Sequence, residues 1–77
     1  TKIDLIKIGK RIKEARNELY LTLREIGKKL NCSYSAFAAY ERGENLINSE
    51  ILLSLSTLTN YSIDYILGRT STKYLNK

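Results

Sequence analysis

The stretch Thr22-Leu23-Arg24-Glu25-Ile26-Gly27-Lys28-Lys29-Leu30-Asn31-Cys32-Ser33-Tyr34-Ser35-Ala36-Phe37-Ala38-Ala39-Tyr40 decides how this chain is read. Thr22 and Glu25 have the spacing of a capping box, in which each side chain satisfies an exposed backbone N–H near the other. Leu21 before the cap and Ile26 after it are placed to form a hydrophobic staple. A short helix is expected over about 23–30. Asn31, which tolerates a left-handed backbone better than most residues, marks the turn that ends it. Cys32 reads as a small buried apolar group, and Ser33 as the cap of a helix running through Tyr40 and stopped at Gly43. Phe37 and Tyr40, three apart, define the inner face of that helix, which leaves Tyr34 off the face and exposed. Gly27 in mid-helix costs about 1 kcal/mol relative to Ala, a cost explained if the next helix crosses so closely that no side chain fits between the backbones. Two short helices joined by a tight turn in this way form a helix-turn-helix.

Working outward, Ile8, Ile12, Ala15 and Leu19 make one apolar stripe on a first helix over about 6–19, with Lys7, Lys10, Lys13 and Asn17 facing water. Residues 44–48 read as a loop. Asn48 or Ser49 caps a fourth helix through Ile51, Leu52, Leu55 and Leu58, which Asn60 breaks. Ser62 caps a brief fifth helix closed by Gly68. No stretch alternates as a strand does, and no internal repeat is visible. The expected fold is all-α, a single domain over 1–77 with a short tail at 70–77.

Composition narrows the function classes. The 77 residues hold no His and one Cys, so neither an internal disulfide nor a plausible zinc site is available. No cofactor or small-molecule ligand is evident. There is no nucleophile–base pair and no Gly-rich phosphate loop, so an enzyme is not expected. No apolar run reaches the roughly 18 residues of a membrane span, and no signal-peptide core is visible. A lone reduced Cys suits a cytoplasm. The chain does not begin with Met, which reads as processing or trimming. Its net charge of +5 points towards an anionic partner, though a solvated surface accounts for much of the same charge. The basic residues concentrate in the first 30 positions, whereas residues 31–60 are net acidic.

Ile8-Gly9-Lys10-Arg11-Ile12, Thr22 to Leu30, Tyr40-Glu41-Arg42-Gly43 and Asp64-Tyr65-Ile66-Leu67-Gly68-Arg69 follow one another in the order seen in a known family. At these residues the chain resembles the Cro/cI-type (XRE) helix-turn-helix repressors, over about 8–67, with the helix-turn-helix at about 23–42. The resemblance implies a compact five-helix, lambda-repressor-like domain that binds double-stranded DNA, as a homodimer on an inverted repeat. It implies that helix 23–30 crosses the DNA backbone and helix 34–42 enters the major groove. By position it makes Tyr34, Ser35 and Ala39 base-facing, and Ser33, Arg42 and Asn45 phosphate-facing. Arg24 and Lys28 beside the turn are further phosphate candidates. Arg16 and Glu41 match an ion pair tying the first helix to the third.

Several positions depart from the family's pattern. Leu23 stands where a phosphate-binding Gln is common, Gly27 where Ala is usual, Asn31 where Gly is usual, and Thr59 where a core Leu is usual. The recognition helix carries no Gln, Lys or Asn before Tyr40, so neither the usual Arg–G nor the Asn/Gln–A bidentate contact is available from its face. Ala36, Ala39 and the Tyr34 ring are then expected to meet thymine methyls in an A/T-containing operator, with affinity resting on phosphate contacts and DNA shape. Ile63, Tyr65, Ile66 and Tyr74-Leu75 are expected to form the self-association surface. The competing reading is a protein-interaction module, such as an antitoxin or anti-repressor, built on the same helices.

Overall fold

The computed structural model describes residues 3–75. They form five helices: α1 Leu5–Glu18, α2 Leu23–Lys29, α3 Tyr34–Arg42, α4 Ser49–Thr59 and α5 Ile63–Ile66. Every helix begins at a side chain that accepts a hydrogen bond from the first turn. These caps are Asp4, Thr22, Ser33, Asn48 and Ser62. The capping box at Thr22 is complete, with Thr22 N–H donating to Glu25 Oε1 at 2.8 Å and Glu25 N–H to Thr22 Oγ1 at 3.2 Å. These bonds hold the Glu25 carboxyl below the usual carboxylate range. Asp4 as the cap of α1 was not anticipated, because no capping-box partner follows it.

The helices close on one core made of Ile8, Ile12, Ala15, Ile26, Leu30, Phe37, Ile47, Ile51, Leu52, Leu55, Tyr61, Tyr65 and Ile66. α1 packs against α3, α4 and α5, while α2 packs against α3. The stripe on α1 is buried as expected at Ile8, Ile12 and Ala15, with Leu19 half-buried, and Lys7, Lys10, Lys13 and Asn17 are exposed. In α4 the last turn packs through Thr59 rather than Leu58, which stays 39% exposed. Thr59 is buried without penalty because its hydroxyl donates to the Leu55 carbonyl at 2.8 Å and accepts from Tyr61 N–H at 3.2 Å.

Two close approaches determine how the helices meet. A Cβ at position 27 would lie 2.5 Å from the Cys32 carbonyl oxygen and 3.4 Å from the Tyr34 nitrogen. The glycine therefore admits the turn and the first residue of α3, and Cys32 N–H donates to the Gly27 carbonyl at 2.7 Å. Gly9 does the same for α1 and α3: a Cβ there would press on the Tyr40 and Glu41 carbonyl oxygens. Asn31 takes the left-handed conformation expected of it, with φ 58°.

The tail supplies a correction. Residues 70–75 return along the domain, with Ser62 N–H donating to the Lys73 carbonyl at 2.8 Å and Leu75 N–H to that of Asn60 at 2.9 Å. Tyr61 and Tyr74 form an isolated antiparallel bridge. Tyr65 and Ile66 lie inside the core and are removed from the expected self-association surface. Only Tyr74 and Leu75 of that group are well exposed, with Ile63 partly so. The reason is that α5 packs on α1 and α4, which turns these two side chains inwards.

Candidate nucleic-acid interface

α2 and α3 together build one face of the domain. Ser33 caps α3 through Ala36 N–H, which donates to Ser33 Oγ at 3.1 Å, and the serine remains exposed with its own O–H free to donate elsewhere. Tyr34 is 46% exposed and Ser35 is exposed, so the first turn of α3 faces outwards. Phe37 is fully buried and meets Tyr40 edge-to-face at 6.2 Å, as the inner-face reading required.

Ala39 is a correction, since it is only 7% exposed. Ala36 is partly exposed and is the remaining small apolar group on this side of α3. Cys32 is half-buried rather than buried, and its S–H donates to the Ser33 carbonyl at 3.4 Å. Burial pushes the Cys32 thiol above its ordinary range.

The pair that orients this face is well formed. Arg16 Nε donates to Glu41 Oε2 at 2.6 Å and Nη2 to Oε1 at 3.1 Å, while Nη1 reaches the Leu21 carbonyl at 2.8 Å. The two side chains are 12% and 7% exposed, so one guanidinium ties together α1, the α1–α2 turn and α3.

Arg24, Lys28 and Lys29 on α2 are exposed, as are Arg42 at the end of α3 and Asn45 in the loop after it. The structure brings two contacts to this face that spacing alone did not reveal. The Arg24 guanidinium lies over the Tyr34 ring, 4.7 Å from its centroid. Arg42 donates to both Glu44 oxygens, at 2.7 and 3.1 Å. That fork is possible because Gly43, at φ 77°, turns the chain back and lets Glu44 N–H donate to the Ala39 carbonyl at 3.0 Å. The hydrogen bonds from Arg42, and then its charge, hold the Glu44 carboxyl below its ordinary range. An acidic residue two positions after a helix-final Arg, with Gly between, was the available signal.

The opposite side of the molecule carries a different polar arrangement. Tyr61 Oη donates to Glu18 at 2.8 Å, Tyr65 Oη to Glu14 at 2.8 Å and Tyr74 Oη to Glu18 at 2.6 Å, while Lys73 Nζ pairs with Glu14 at 2.6 Å. Burial, with the neighbouring carboxylates, raises the Tyr61 and Tyr65 hydroxyls above their ordinary range. Arg11 lies over the Tyr65 ring at 3.9 Å and donates to the Tyr65 and Thr70 carbonyls, at 2.5 and 3.2 Å. Among the described residues no group of His, Cys, Asp and Glu is placed to hold a metal, and no helix is long and apolar enough to cross a membrane.

Comparisons with known proteins agree with this architecture. A helix-turn-helix family model matches residues 12–66. The HTH-type transcriptional regulator ImmR of Bacillus subtilis (strain 168) is 38% identical over 72 residues, covering 94% of this chain and 57% of ImmR. The chain thus spans little more than half the length of that relative. Among solved structures, the P22 c2 repressor in complex with synthetic operator 9T superposes with a TM-score of 0.75 at 33% identity, covering 91% of this chain and all of that one. The biofilm master regulator SinR in complex with DNA superposes with a TM-score of 0.69 at 30% identity, covering 78% of this chain and 97% of that one. With the family model matched from the first helix to the fifth, this chain belongs to the Cro/cI-type (XRE) helix-turn-helix family.

Proposed function

We propose that this chain is the DNA-binding part of a bacterial transcriptional repressor, acting in the cytoplasm as a homodimer on an inverted-repeat operator, and that it is not an enzyme. α3 enters the major groove with Tyr34, Ser35 and Ala36 towards the bases. Ser33, Lys28, Arg42 and Asn45 meet phosphates. The observation that carries this reading is the outward first turn of α3, exposed at Tyr34 and Ser35 and held rigidly by the Gly27 contact and the Arg16–Glu41 pair. Exposed Lys and Arg side chains flank it on α2. The likeness to the P22 c2 repressor bound to its operator supports the same reading. Repression follows from occupying DNA that a polymerase needs. Two-fold symmetry doubles the few base pairs that one domain reads.

The test is selection of bound duplexes from a random double-stranded pool at near-physiological salt. An inverted repeat with half-sites about one helical turn apart, containing T opposite the α3 start, is the expected result. Enrichment of nothing above background would contradict it. The second reading, a protein-interaction module, draws on the exposed apolar side chains of Ile3, Ile6 and Leu46 near the α1 N-terminus. Salt separates the two: phosphate binding weakens steeply as salt rises, whereas an apolar interface does not.

A further inference from the structure

The recognition helix poses a chemical problem. Its exposed first turn offers a base only the Tyr34 and Ser35 hydroxyls and apolar surface, yet discrimination in the major groove leans on planar, two-donor side chains. Arg42, the nearest guanidinium on α3 itself, already has both Glu44 oxygens on its donor fork. Arg24 is on the neighbouring helix, but its guanidinium sits over the Tyr34 ring at 4.7 Å, at the end of α3 that faces outwards. It makes no hydrogen bond or ion pair with a described residue, so its five N–H donors are unspent. Stacking on an aromatic ring restrains an otherwise mobile side chain without consuming those donors.

We propose that Arg24, carried on the Tyr34 ring, is the specificity-determining residue of this domain and reads the O6/N7 edge of one guanine per half-site. The missing donor of α3 is thereby supplied from α2. The free side of the Tyr34 ring stays available to a neighbouring thymine methyl, so a G beside a T is the expected core of each half-site. This inference rests on the DNA-binding reading, and it assigns Arg24 to a base where its position on α2 alone suggests a phosphate.

The experiment uses the whole chain and the duplex recovered by selection, with a second duplex in which the guanine is replaced by 7-deazaguanine, which lacks the N7 acceptor. Wild type should bind the substituted duplex about tenfold more weakly, the discrimination that one good bidentate contact provides. Arg24→Ala should bind both duplexes equally, and Arg24→Lys, whose ammonium can still donate to N7 but lacks the planar fork, should keep only part of the discrimination. Tyr34→Leu should reduce the discrimination without further loss in the double variant, as coupling between the two side chains requires. If Arg24→Ala weakens all duplexes alike, and the dependence of log affinity on log salt falls by about one unit, Arg24 is a phosphate contact and the inference fails. The inference also fails if selection recovers half-sites without G. Failure of the underlying reading looks different: wild type itself then shows no salt-dependent binding to any duplex.

Discussion

The two sides of this small domain treat their polar groups in opposite ways. On the side built by α1, α5 and the tail, three tyrosine hydroxyls, two glutamates and Lys73 are bonded to one another. On the α2–α3 side, Ser33, Tyr34, Ser35, Lys28 and Asn45 are exposed and open to an incoming partner. A buried polar group without a partner costs free energy, so the first side gains stability by satisfying its own. An exposed donor costs little because water bonds it, and the second side thus keeps its donors at hand for DNA.

The strongest way to break the comparison is to disturb the pair that connects the two sides. Replacing Glu41 by Ala leaves the Arg16 guanidinium nearly buried without its carboxylate, and destabilisation of about 3 kcal/mol is expected. Urea denaturation measures it. A loss well below about 1 kcal/mol would mean that Arg16 is held by the Leu21 carbonyl and not by the ion pair.

A smaller effect should follow acidification, and it belongs to the tyrosine–glutamate side. Burial pushes the Glu14 carboxyl up, but the hydrogen bonds from Lys73 and Tyr65 and the charge of Lys73 outweigh it and hold Glu14 below its ordinary range. Hydrogen bonds from Tyr74 and Tyr61 do the same for Glu18. A carboxylate lowered in the folded state binds fewer protons there than in the unfolded chain. Its stabilisation is therefore fully present above the ordinary carboxylate range and is lost as pH falls through the lowered folded value. Urea midpoints should be flat near neutrality and drop as pH falls through and below the ordinary carboxylate range. In a Glu14→Gln, Glu18→Gln variant the drop should be shallower, and an unchanged drop would place the acid sensitivity elsewhere.

The smallest effect on stability should come from the DNA-facing side, with the sign of interest in binding. Arg42 and Glu44 are both more than half exposed, so solvent screening leaves their pair little weight in folding. Replacing Glu44 by Gln should leave the urea midpoint in place. It should also tighten binding to mixed-sequence duplex by about threefold at low salt, since it frees Arg42 for a phosphate and removes a repelling carboxylate. Weaker binding by that variant would mean that Glu44 holds Arg42 in the geometry DNA requires.

Much of this architecture was legible from local signals. The Thr22–Glu25 box, the Ser33, Asn48 and Ser62 caps and the left-handed Asn31, Gly43 and Gly68 are short-range effects, and each is where its spacing placed it. What escaped depends on residues far apart in the chain. Tyr61 and Glu18 are 43 positions apart and Tyr74 and Glu18 are 56 apart, so no periodicity links them. The same limit hid the Arg24–Tyr34 stack, which needs the turn between α2 and α3 to bring the ring under the guanidinium. Ala39 was misplaced for another reason: its position on the helix was read from resemblance, and the residue that occupies it is buried.

The measurement that tests the central claim most directly is amide NMR of the intact chain titrated with the duplex recovered by selection. Perturbations concentrated at Thr22–Lys29 and Ser33–Asn45, with Glu14, Glu18 and Tyr61 unmoved, are the predicted result. Perturbations concentrated on the tyrosine–glutamate side, or none at a saturating concentration of duplex, would contradict the assignment of DNA binding to the α2–α3 face.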